Sequence, residues 1–151
     1  MKEQVAYLDS SAIVKRYIKE PGSDVVRGLY LKAYSGDLKI SYSLWNIGEV
    51  LGAFDRARHT DRLDEDLFRV VKRRFLLETK RAVKLGILII VPVKTRILVE
   101  TWRFIENYHI YEADALQIAT AKHLDAKNFL TGDRTLHEIA ENENLHSTYL
   151  G

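Results

Sequence analysis

The chain has 151 residues, with 23 Lys and Arg against 21 Asp and Glu, a net charge of +2. That length suits one domain with a sizeable core, and so even a charge balance announces no polyanion partner: any nucleic-acid surface has to be a local patch. The absence of cysteine excludes disulfides, thiolate zinc sites and a cysteine nucleophile, and leaves oxygen and imidazole as the only metal ligands.

Apolar runs of strand length alternate with helix-length periodic segments. Residues 5–8 form the first expected strand, and residues 10–19 a helix that stops before Pro21, because proline disfavours helical geometry in its predecessor. Ser23 is expected to cap a second helix reaching Tyr34, and a short strand follows over 38–41. Ser43 then caps a helix whose positions Leu44, Ile47, Val50, Leu51 and Phe54 keep helical spacing. A longer helix spans 63–85 and ends at Gly86. Residues 87–93 are apolar on both faces, as a central parallel strand should be. Helices over 95–107 and 112–124, a strand over 128–131, a helix over 134–142 and a last strand over 147–150 complete the chain. This order implies an α/β layered fold with a mostly parallel sheet, in a single domain over residues 1–151. The longest apolar run, residues 87–91, is far short of the ~20 residues a membrane span needs. A soluble, cytoplasmic protein with no membrane contact is expected.

Four acids stand out by position. Asp9 closes the first strand and opens a helix, where open α/β sheets build their sites. A helix N-cap accounts for it as well. Asp114 shares a helical stripe with Ile118 and Ala121. A carboxylate on a packing face needs compensation, and the nearest cation in sequence, Lys122, lies across the helix. Glu49 points away from the Leu44, Ile47, Leu51, Phe54 face, as a solvated glutamate does, yet it shares that side with Trp45 and Gly52, so a cleft wall is the other reading. Asp133 follows the strand over 128–131 through Gly132 and can be a second cap. Converging in one cleft, such carboxylates repel by ~4 kcal/mol per pair at about 4 Å in an effective dielectric near 20. A hard divalent cation is the natural remedy.

Taken as a set, Tyr7-Leu8-Asp9-Ser10-Ser11-Ala12, Glu49, Asp114-Ala115-Leu116 with Ala119, and Thr131-Gly132-Asp133-Arg134 resemble a PIN-domain protein, and more narrowly the VapC-type toxins of toxin–antitoxin systems, over essentially the whole chain. The resemblance implies a PIN-like (PilT N-terminus) three-layer fold and a Mg²⁺- or Mn²⁺-dependent endoribonuclease. It further implies carboxylate ligands at Asp9, Glu49, Asp114 and Asp133, products with a 5′-phosphate and a 3′-hydroxyl, a protein antitoxin and a homodimer. Asp133 is the ligand such proteins dispense with most readily. Metal-assisted hydrolysis of a phosphodiester suits these residues, since the metal supplies a nucleophilic water and charge neutralisation. Ser11 and Thr131 are then candidates for orienting water.

RNA also has to be held. Arg69, Lys72, Arg73, Lys80 and Lys84 gather on one side of the helix over 63–85, opposite Leu67, Val70, Val71 and Leu77, a pattern that a solvated face explains as well. Lys15, Arg16 and Arg134 adjoin the acids in sequence and are the expected phosphate contacts, with Lys19 beside them. The antitoxin is expected on surface around Trp45, Phe54 and Tyr17, and dimer contacts around Trp102, Phe104 and Tyr108. Three rivals compete: a metal-independent ribonuclease using two of the five histidines, an aspartyl-phosphate phosphatase, and a catalytically silent RNA-binding or scaffold module of the same fold. The phosphatase normally needs a second aspartate where this chain has Ser11.

Overall fold

The structure, a computed structural model, describes residues 3–151. Its elements run β1 (Val5–Leu8), α1 (Ser10–Tyr17), α2 (Ser23–Tyr34), β2 (Lys39–Ser43), α3 (Leu44–His59), α4 (Glu65–Lys84), β3 (Leu88–Val91), α5 (Thr95–Tyr108), α6 (Glu112–His123), β4 (Asn128–Thr131), α7 (Arg134–Asn142) and β5 (Ser147–Tyr149). All pairings among these strands are parallel, in the order β3-β2-β1-β4-β5. Right-handed crossovers put the connections that step from β1 to β2 and on to β3 on one face, and those that return to β4 and step to β5 on the other. Accordingly α1, α2, α3 and α4 pack among themselves and α5 packs on α6, giving the expected α/β three-layer fold. The stepping direction reverses at β1, so the crevice beyond the C-terminal ends of β1 and β4 is the switch point of the sheet.

Aromatic pairs fasten both sides of the sheet. Tyr7 and Phe129 are opposed in register and stack with centroids 5.6 Å apart. Tyr17, Phe54 and Phe75, from α1, α3 and α4, meet edge to face, with Tyr17 and Phe75 centroids at 5.3 Å. Above this trio Glu78 accepts from the Arg16 guanidinium through both oxygens, at 2.9 Å each, and from the Tyr17 and Tyr34 hydroxyls. Burial pushes the Glu78 carboxyl up, but these hydrogen bonds and the Arg16 charge outweigh it and leave the group below its ordinary range. The network joins α1, α2 and α4.

Several boundaries differ from the sequence reading. Helix α1 ends at Tyr17, because Ile18 is already extended (φ −119°, ψ 128°) three residues before Pro21. Gly22, with φ +89°, is the cap position of α2, and Ser23 is its first residue; the Ser23 hydroxyl accepts from the Glu20 amide and donates to the Ile18 carbonyl. A Cβ at Gly22 would sit 2.5 Å from the Leu150 carbonyl oxygen, so both backbone angle and space demand glycine. Strand β3 is shorter than 87–93 and lies at the sheet edge, not its centre. Helices covering both faces of a parallel sheet make an edge strand as apolar as a central one, so composition reports face cover and not rank in the sheet. The edge shows only in the partial exposure of Ile89 and Ile90. Among the described residues no helix is long and apolar enough to cross a membrane.

Candidate active site

Asp9 stands at the switch point and is 4% exposed. Its Oδ1 accepts from the Ser11 hydroxyl at 2.6 Å and from the Ala12 amide at 2.9 Å, and its Oδ2 accepts from the Thr131 hydroxyl. It is therefore the N-cap of α1, as one reading has it, and also the most buried acid of the four. Burial pushes its carboxyl up to about 6, against the hydrogen bonds from Ser11, Thr131 and Ala12, with the Asp133 charge adding to the rise. Ser11 and Thr131 thus hold the carboxylate itself. The Gly132 amide donates to the Ser11 hydroxyl at 2.8 Å and the Asp133 amide to the Thr131 hydroxyl at 3.0 Å, which locks the β4–α7 turn to the same carboxylate. A Cβ at Gly132 would lie 2.9 Å from the Lys15 side chain and 3.4 Å from the Ser11 hydroxyl. The close contact is with the flexible end of Lys15, so a larger residue at 132 would displace the Lys15 ammonium before it moved the turn.

Glu49 is partly buried and accepts from the Ser10 hydroxyl at 2.7 Å, which draws α3 to the mouth of α1. The helical wheel misplaces it for a specific reason. The buried stripe of α3 is Asn46, Val50, Phe54 and Ala57, whereas Leu44 is 52% exposed. Glu49 follows Asn46 by three residues, roughly 60° round the helix, and so flanks the buried face instead of opposing it. Asn46 is a residue the sequence reading missed. Its amide donates to the Leu8 carbonyl at 3.2 Å and to Gln117 Oε1 at 2.8 Å, Gln117 returns a bond at 2.9 Å, and the Tyr7 hydroxyl also donates to Gln117. This buried amide pair fixes α3 and α6 against the end of β1, the two helices that carry Glu49 and Asp114. Its one signal in the sequence is a polar residue in each otherwise apolar helix segment.

Asp114 lies in the first turn of α6, half-buried, where the helix N-terminus favours a negative charge. Among the described residues its carboxylate makes no hydrogen bond or ion pair. Burial raises its protonation point, and the charges of Asp133 and Glu49 raise it further. Asp133 is exposed, caps α7 by accepting from the Leu136 amide at 3.0 Å, and acts on both Asp9 and Asp114. The four acids therefore share one field at the C-terminal ends of β1 and β4, and none is paired with a Lys, Arg or His among the described residues. An all-oxygen set without a counter-cation has the donor chemistry a hard divalent ion takes. As placed, no three His, Asp or Glu side chains among the described residues are gathered tightly enough to hold one ion. Asp9 is pinned by its donors, Glu49 is held by the Ser10 hydroxyl, and Asp133 by its cap on α7.

The cations divide. Arg134 is exposed beside Asp133, its guanidinium over the Tyr149 ring at 5.1 Å. Arg16 is engaged by Glu78, and Lys15 is 6% exposed, with its ammonium 3.5 Å from Glu20 and from the Gly151 carbonyl. Two of the three expected phosphate contacts are thus occupied inside the protein. In α4 the buried stripe is Val71, Phe75, Thr79 and Ala82, while Leu67, Val70 and Leu77 are about half exposed, so the expected split into basic and buried apolar sides does not hold. Phe54 and Tyr17 are core residues, unavailable to an antitoxin, and Phe104 is buried and so unavailable to a dimer. The Tyr108 hydroxyl donates to Glu143. Trp45 and Trp102 remain exposed, at 49% and 60%.

The fold is shared with known proteins. PAE2754 of Pyrobaculum aerophilum superposes with a TM-score of 0.65 at 15% identity, over 95% of this chain and 83% of that one. VapC20 of Mycobacterium tuberculosis, a sarcin–ricin loop cleaving toxin, gives 0.63 at 13% identity, over 89% and 94%. VapBC2 of Rickettsia felis, bound to a fragment of its promoter DNA, gives 0.62 at 16%, over 98% and 100%. No curated protein matches the sequence. The sequence model of the PIN domain matches residues 6–142, from the second residue of β1 to the end of α7 and through all four acids. The chain belongs to the PIN domain family.

Proposed function

We propose that the protein is a metal-dependent endoribonuclease and the toxin of a VapBC-type toxin–antitoxin pair, acting in the cytoplasm. The observation that carries this reading is Asp114, a half-buried carboxylate with no partner among the described residues, whose protonation point is raised by burial first and by the Asp133 and Glu49 charges after it. A structural acid in that position would have a cation or donors. Asp9 and Asp114 are the inner ligands in this proposal, with Glu49 and Asp133 binding directly or through water. Bound there, Mg²⁺ or Mn²⁺ supplies a nucleophilic water and neutralises the charge growing at phosphorus. The chain's own part is to aim Asp9 with Ser11 and Thr131, to hold Glu49 with Ser10, and to offer Arg134 to the RNA backbone.

The antitoxin is assigned to the seam between α2 and α4, where Leu31 and Leu77 are 59% and 55% exposed beside Arg27, Arg74 and Arg81. An amphipathic segment with acidic flanks fits that seam. A homodimer through the exposed Trp102 is part of the same reading. A catalytically silent RNA-binding module is the second reading, favoured by the absence of a gathered acid triad among the described residues. Cleavage of a defined RNA panel with Mg²⁺, Mn²⁺ or chelator, beside Asp9→Asn and Asp114→Asn, separates the two. The proposal expects metal-dependent cuts with 5′-phosphate ends from the wild type and none from either variant. Chelator-resistant cleavage, or wild-type rates from Asp9→Asn, would end it.

A further inference from the structure

The outer face of α3 carries a feature that neither the fold nor the acid site uses. Trp45, Gly48, Glu49, Gly52 and Arg56 line one cavity of about 320 Å³. They fall on one side of the helix at spacings of three and four residues. Trp45 is about half exposed, and among the described residues its ring stacks on no other ring and under no cation. Arg56 is exposed and pairs with no carboxylate among the described residues.

The two glycines lack a structural reason. Neither has a positive φ, a Cβ at Gly48 would meet no atom within 4 Å, and one at Gly52 would reach only the Arg56 guanidinium at 3.5 Å. Glycine is a poor helix former, and here it sits twice in the middle of a 16-residue helix. What it provides is a bare shelf with an indole at one end, a guanidinium at the other and Glu49 between.

We propose that this shelf is a stacking subsite for one unpaired nucleobase of the RNA substrate, with Trp45 against the base and Arg56 on its phosphate. The inference rests on the nuclease reading for its choice of ligand. Three observations select that occupant. Glu49 lines both the shelf and the acid site, so a strand lying here continues into the acids. An unpartnered indole and an unpartnered cation at the two ends of one open groove are the stacking and phosphate contacts by which single-stranded nucleic acid is held. A second copy of α3 packed on the glycines would have to bury Glu49 and accommodate the Trp45 indole. A base in a duplex has to give up its stacking and pairing to reach the shelf, so the subsite favours single-stranded segments and loops.

The test uses the full chain with Trp102→Phe, which leaves Trp45 as the sole indole, and with Asp9→Asn to suppress cleavage during binding. Emission is followed while a single-stranded RNA decamer, or the same strand annealed to its complement, is added. Quenching by the single strand and not by the duplex is expected, together with a tenfold to hundredfold loss of affinity for Trp45→Ala and Gly48→Leu, read in every variant from the anisotropy of a dye-labelled decamer. Trp45→Phe should restore most of it. Gly48→Leu places its side chain in open space, so circular dichroism should confirm an intact fold. Equal affinity in the parent, Trp45→Ala and Gly48→Leu would overturn the subsite, as would equal quenching by duplex. A concentration-dependent change in Trp45 emission without RNA, matched by dimer in ultracentrifugation, would give the shelf to a second copy and also overturn it. The nuclease reading is scored separately, on the Asp9-intact protein. Metal-dependent cleavage unaltered by Gly48→Leu sinks the subsite alone, and quenching without any cleavage sinks the nuclease alone.

Discussion

Thr131 donates its hydroxyl to Asp9 across 122 positions of sequence, from the end of β4 to the end of β1. With Ser11 on the other oxygen, it turns a buried carboxylate into one of fixed direction. Thr131→Val removes the donor while keeping the shape, and leaves one Asp9 oxygen without a partner. We expect a loss of about 1–3 kcal/mol in stability, and a fall in RNA cleavage larger than that of Ser11→Ala, which leaves the Ala12 amide on the other oxygen. Urea titration and single-turnover cleavage check both.

Asp9 also sets a pH dependence of folding. Its folded-state pKa of about 6 lies above the ordinary 3.8, so the folded chain holds a proton that the unfolded chain has released. The sign follows: Asp9 lowers the stability of the metal-free protein as pH rises through that window, by about 3 kcal/mol in all. Asp9→Asn should abolish this slope and be the more stable protein at pH 7 in chelator. Denaturation at pH 4, 5, 6 and 7 measures it; a wild type that gains on Asp9→Asn with rising pH would refute the assignment.

Arg16 and Arg134 should separate cleanly. Arg16→Ala breaks a two-oxygen pair with Glu78 that is partly exposed to solvent, costing about 1–2 kcal/mol without changing the salt dependence of RNA binding. Arg134→Ala should leave the melting temperature unchanged, weaken RNA binding and reduce the salt slope by about 0.7. Filter binding across a salt series, with parallel thermal melts, distinguishes them.

The element order was legible in the sequence because period-two and helical patterns are local. What was not legible is what neighbours decide. Helix α3 shows the limit: Leu44 and Ile47 suggested one buried face, but Asn46, satisfied by Leu8 and Gln117, is the residue that faces the sheet. A polar residue cannot declare itself buried until its partner is known, and Gln117 is 71 positions away. Without that partner the helical wheel leaves Glu49 open between a solvated face and a cleft wall. Lys15 and Arg16 show the converse, since adjacency to Asp9 in sequence said nothing of Glu20 and Glu78, which occupy them. The edge rank of β3 was invisible because hydrogen-bond order leaves no mark on an apolar run covered by helices.

Gly22 offers a check on the fold itself. Gly22→Ala demands a left-handed backbone from an L-residue and places a methyl against Leu150, so a loss of more than about 1 kcal/mol is expected. Gly48→Ala, in an unstrained and open helical position, should instead raise stability by roughly 0.5–1 kcal/mol. Thermal melts of the two variants should move in opposite directions.

Carboxylates from four separate segments accepting a doubly charged ion are the centre of the proposed chemistry. Calorimetric titration of Mn²⁺ into the chelator-treated protein, with thermal melts at each concentration, tests this most directly. Wild type should bind and gain about 2.7 kcal/mol at a hundred times its dissociation constant, while Asp9→Asn and Asp114→Asn gain little. An ion that leaves the wild type unmoved, or that stabilises all three proteins equally, would contradict it.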